Sequence, residues 1–160
     1  VDLAAPLAAG SQSQPAVLDL FAQEALIRGD GVLGRNLGMR AAAAWKEAGQ
    51  PALEAHALRL AAEAAFFESE DSEGQALLRQ AAYPVEGEGH PQAHRALRLA
   101  LWEKAVAGRL GDAGDALRRL GEPAEGLPQR ELVLARESAR RLGSRLGKPA
   151  LSGQGGAVGP

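Results

Sequence analysis

Ala55 to Ala61 reads AHALRLA, and Ala93 to Ala100 reads AHRALRLA, the same letters with one Arg inserted, 38 to 39 residues further along. Each copy lies in a long Ala/Leu stretch that neither Gly nor Pro interrupts, so each is a helix, and a helix recurring at this separation implies stacked helix pairs. The expected fold class is all-α: antiparallel helical hairpins stacked as an array of about seven helices. Leu58 and Leu97 hold the same place in the repeated ALRLA and are expected to be buried at helix-pair contacts. Arg59 and Arg98, one step around each helix, are expected at the surface.

Outward from the two copies, glycines and prolines divide the chain. Residues 1–15 form a flexible N-terminal arm, because Pro6, Gly10, the polar run 11–14 and Pro15 leave no periodicity. Residues 16–148 form one helical repeat-like domain, and residues 149–160 a disordered Gly-rich tail. Removing residues 1–14 and 150–160 is expected to leave the melting temperature nearly unchanged, since few apolar side chains go with them. Val17, Leu18, Leu20, Phe21, Ala25 and Leu26 give a first helix, ended by Gly29-Asp30-Gly31. A second runs from about Asn36 to Ala48. Pro51 opens a third, which carries the first copy to about Phe67, since a first-turn residue needs no amide proton. Ser72 and Gln75 have the spacing of a capping box for a short fourth helix, which Tyr83-Pro84 and Gly87/Gly89 end. Pro91 opens a fifth to about Leu110, a short sixth ends at Leu120-Gly121, and Pro128 opens a seventh to about Leu146.

Composition supports helix layers over strands. Hydrophobic residues make up 46% but aromatics only 4%, so the core is Ala-rich and thin, suited to close helix packing and poor in the β-branched and aromatic residues of sandwiches. The absence of Cys excludes disulfides, thiolate metal sites and Cys nucleophiles. No apolar run reaches the ~18 residues of a membrane span. A soluble, cytoplasmic protein is expected, although the lack of Cys suits the periplasm equally, and a start at Val1 suits a fragment, a processed form or an unusual start codon alike. Arg outnumbers Lys 15 to 3, which with abundant Ala, Gly and Leu points to a bacterial genome of high GC content. Residues 1–90 carry 6 basic and 13 acidic side chains and residues 91–160 carry 12 and 7, a polarity that steers charged partners or favours head-to-tail association.

Helix pairs joined by Gly turns, with small residues at fixed offsets, resemble the tetratricopeptide repeat family. Gly111, Ala116 and Leu120 look like that family's turn Gly, its small second-helix residue and its larger apolar residue; Gly49, Leu58 and Ala61 fit three positions of a second copy, with Glu54 where a small residue belongs. The two turn glycines lie 62 residues apart, short of two 34-residue periods, and the proline that closes each repeat is absent. The resemblance covers about residues 33 to 121. It implies a short right-handed superhelical array that binds proteins or peptides in a groove lined by the first helix of each pair. Carried over, it places Asn36 and Arg98 at one groove-facing position and Lys46 further along the first of these helices.

Other motifs point elsewhere. Gly29 to Gly34 fits GxGxxG, but that fingerprint needs a preceding buried strand and Asp19 to Arg28 reads as helix, so a helix-to-helix turn is expected. Arg28-Gly29-Asp30 matches an integrin-binding tripeptide without supporting context. His90 and His94 have the four-residue spacing that places two imidazoles on one helix face, yet no neighbouring glutamate completes a zinc-hydrolase motif. No catalytic, metal or cofactor residues are assigned. Arg136, Arg140, Arg141 and Arg145 form a basic ridge that could meet phosphates, interrupted by Glu137, which pairs with Arg141 at i,i+4 spacing. The expected function is a non-catalytic protein- or peptide-binding scaffold, as a segment of a larger regulator or assembly and compatible with homo-oligomers. A nucleic-acid-binding regulator using the last helix, or a small metal-dependent helical enzyme, are the alternatives.

Overall fold

The computed structural model describes residues 13–83, 91–111 and 113–145. Among these residues there are seven α-helices and no strand: α1 (Ser13–Ile27), α2 (Gly31–Glu47), α3 (Pro51–Phe67), α4 (Asp71–Gln80), α5 (Pro91–Val106), α6 (Gly114–Leu120) and α7 (Gln129–Arg145). The fold is all-α, as its periodicity predicts. The helices fall into two compact units, α1 to α4 in the first and α5 to α7 in the second. The tail expected at 149–160 and most of the N-terminal arm lie outside the described residues.

In the first unit each helix packs on the next, and α1 also touches α3. One device makes all three connections. Gly29 (φ 88°), Gly49 (φ 70°) and Ser69 (φ 61°) adopt the left-handed conformation that stops a helix. The amide of the following residue then reaches back five positions: Asp30 N–H to Ala25 O at 2.8 Å, Gln50 to Trp45 O at 3.0 Å, Glu70 to Ala65 O at 2.9 Å. These Schellman closures satisfy carbonyls that a helix end otherwise leaves unpaired. Asp30, Gln50 and Glu70 at once become the N-caps of the next helices. Helix and turn together therefore take 20 residues and a pair takes 40, against the 34 of a tetratricopeptide repeat. In the second unit Gly108 (φ 72°) closes α5 in the same way, 39 residues after Ser69.

Packing follows the same period. A Cβ placed on Gly34 would lie 3.0 Å from Leu26 Cγ, and one on Gly74 would lie 2.6 Å from the ring of Phe66. Both members of this contact shift by 40 residues, so α1/α2 and α3/α4 are equivalent hairpins, each with its glycine seated on a large side chain of the preceding helix. A buried polar residue also recurs, at Asp19 in α1, Arg59 in α3 and Arg98 in α5.

Several local expectations change. Helix α1 begins at Ser13, inside the expected arm, because Pro15 falls in its first turn, where proline is tolerated. Helix α2 begins at Gly31, five residues before the expected Asn36, because the side chain of Asp30 accepts a hydrogen bond from Leu33 N–H at 3.0 Å and caps it. Ser72 lies inside α4 and caps nothing, since the turn at Ser69 makes Glu70 the N-cap; Asp71 and Glu73 occupy the first turn, where the helix dipole favours carboxylates. Helix α5 stops at Val106, short of Leu110, because of the Gly108 closure.

The expectation for the repeated ALRLA fails at three of its four positions. Leu58 is 7% exposed but Leu97 is 37% exposed, while Arg59 and Arg98 are both buried. In the first unit α2 covers the Leu58 side of α3: a Cβ on Gly38 would lie 3.1 Å from that of Ala61, one turn beyond Leu58. In the second unit α5 packs on α6 and α7 through Arg98, Leu99, Leu101 and Trp102, which leaves Leu97 outward.

Candidate partner-binding face

Helix α2 has an inner face of small residues. Gly31, Gly34, Leu37, Gly38, Ala41, Ala42 and Trp45 are buried. With glycine where α2 crosses α3, the backbones approach closely, and the larger side chains are left to the opposite face. Val32, Asn36, Met39 and Ala43 are exposed there at i, i+4, i+7 and i+11, and Lys46 lies exposed at the C-terminal end. Val32 and Met39 are 50% and 42% exposed, high for large apolar side chains. Asn36 and Lys46, the sequence candidates on this helix, thus sit on its solvent side. Nearby, Arg35 faces Glu73 at 3.8 Å.

Arg98, the third candidate, lies elsewhere. It is fully buried in the second unit, where its Nη1 donates to Glu131 Oε1 at 2.7 Å. Arg95, also buried, donates through Nε to Glu131 Oε1 at 3.4 Å and pairs with Oε2 through its terminal nitrogen. Burial alone would raise the Glu131 carboxyl, but the two guanidiniums outweigh it and hold the group far below the usual carboxylate range. A side chain so placed is a tie between α5 and α7. It does not present its charge to a groove. Beside it Trp102 Nε1 donates to Ser138 Oγ at 3.0 Å, and Arg145 lies over the Trp102 ring at 5.3 Å from its centroid. In the first unit Arg59, at the equivalent position of its helix, donates to Ala81 O at 3.1 Å and Tyr83 O at 2.7 Å and so caps the end of α4. The sequence gave little warning of these burials, since ALRLA presents Arg between two leucines on a helix with several candidate inner faces. For Glu131 the signal was its place beside Leu132 and one turn before Ala135, at the edge of the apolar face of α7.

The cations of the nucleic-acid alternative are engaged within the protein. Arg136 Nε donates to Gly121 O at 3.0 Å, Arg145 stacks on Trp102, and Arg140 and Arg141 both pair with Glu137, Arg141 at 2.8 Å as the spacing predicts. The hydrogen bond from Arg140, opposed by partial burial and aided by Arg141, lowers the Glu137 carboxyl, and Glu137 in turn raises Arg140. The GxGxxG segment follows helix α1 and forms the turn into α2. His90 lies outside the described residues, and His94 is half-buried. Among the described residues no group of three or more His, Asp or Glu is placed to share a metal ion, and no helix is long and apolar enough to cross a membrane.

Compared with known protein families, with curated proteins and with solved structures, the chain matches none.

Proposed function

We propose that the protein is a non-catalytic binding module that takes a protein or peptide along the outward face of α2. Val32, Asn36 and Met39 form the contact stripe, and Lys46 offers a cation at its end. The reading rests chiefly on one observation: a helix whose inner face is built of Gly and Ala leaves its large apolar side chains in solvent, an arrangement expected of a recognition helix and costly to solubility otherwise. The 40-residue hairpin period supports it further, because repeated helix pairs present extended surfaces. Arg98 drops out of the contact set on account of its burial. The test compares immobilised wild-type protein with Val32→Asp/Met39→Asp, both verified as folded by circular dichroism, in quantitative capture from source lysate. The double variant should lose the proteins that wild type retains, and Asn36→Ala should weaken them. Identical capture by both would remove α2 as the contact face. Retention of nucleic acid that disappears with added salt would favour the regulator reading instead.

A further inference from the structure

In the first unit the 40-residue equivalence pairs Leu20 with Leu60 and Phe21 with Ala61. Leu60 and Ala61 are fully buried, with Gly38 of the preceding helix α2 resting at Ala61. Leu20 and Phe21 are 44% and 40% exposed. The first helix of a repeated stack ordinarily turns a polar side outward, yet α1 turns out a Leu and a Phe side by side. The chain has material to cover them. Residues 1–12 lie outside the described residues and lead directly into α1 at Ser13; Val1 to Ala9 contains Leu3 and Leu7 and a single charged side chain, Asp2. Leu20 lies about 11 Å along the helix from Ser13, whereas the six residues from Leu7 to Ser13 span up to about 20 Å. The reach is ample.

We propose that the N-terminal segment folds back on α1 and covers Leu20 and Phe21 with Leu7 and Leu3, so that the chain supplies its own end cap where α2 covers the equivalent side of α3. This reverses the expectation that the segment can be removed without effect.

The full chain contains no Cys, so one introduced pair reports a single contact. Leu7→Cys with Phe21→Cys should close an intramolecular disulfide under mild oxidation much faster than Leu7→Cys with Arg79→Cys, whose second site is exposed on α4. Leu3→Ser with Leu7→Ser should lower the melting temperature by about 4 to 8 °C. The same change made in a Phe21→Ser background should lower it much less, because the contact is then already gone. Cross-linking no faster than the Arg79 pair, or an unchanged melting temperature, would overturn the proposal. A disulfide formed only between chains would overturn it in favour of a second copy on this face, and full additivity with Phe21→Ser would place the segment against some other surface.

Discussion

Glu131 is the residue on which the second unit most depends. It is 5% exposed and joins α5 to α7 through Arg95 and Arg98. Removing one partner of such a buried group costs far more than the arrangement contributes over an apolar core, because the remaining charges have already left water. Glu131→Gln should therefore destabilise the unit by about 3–5 kcal/mol in urea titration. The pH dependence has a definite sign: the folded carboxyl lies below its unfolded value of about 4.3, so its contribution is complete above that pH and shrinks as pH falls through and below it. Wild type should lose stability on acidification below about pH 4.3, and the Gln variant should lose less over the same window. At Ser69 the change runs the other way. Its φ of 61° costs a residue with a Cβ about 1–2 kcal/mol, part of which glycine's greater chain entropy offsets. Ser69→Gly should accordingly raise stability by up to about 1 kcal/mol, a shift in urea midpoint at unchanged slope.

Helices were legible wherever proline, glycine and apolar spacing agreed. Pro51 and Pro91 open α3 and α5 as their fixed φ implies, and α7 spans Gln129 to Arg145 on the face set by Leu132, Ala135, Ala139 and Leu142. Glycine misled where it had two uses. Gly29 and Gly49 stop helices, but Gly31, Gly34 and Gly38 lie inside α2 because a neighbouring helix comes too near for a side chain, and one sequence does not distinguish these uses. The candidate face was half legible for a related reason: Asn36 and Lys46 are polar and read as surface, whereas Val32 and Met39 read as core until the glycine face took their place. Gly38→Val should open the α2–α3 contact and cost about 1–3 kcal/mol by overpacking against Ala61. Leu58→Ala should cost about 2–5 kcal/mol. Leu97→Ala, on the outward side of α5, should cost less than about 1 kcal/mol, a difference readable by thermal melts.

Across the whole molecule the helix content admits a simple check, because far-UV circular dichroism should give a helical spectrum; a strand content near the usual ~20% would reject the fold. The charge split noticed in the sequence falls almost on the division between units: residues 1–86 carry 6 basic and 12 acidic side chains, residues 87–160 carry 12 and 8. Each unit also holds one of the two tryptophans, Trp45 on the inner face of α2 and Trp102 bonded to Ser138 beneath Arg145, and both are buried. An indole's emission moves to longer wavelength when water reaches it, so the protein carries a separate optical reporter for each half. In Trp45→Phe the remaining fluorescence follows the acid response of the Glu131 site alone; in Trp102→Phe it follows the hairpins of α1 to α4.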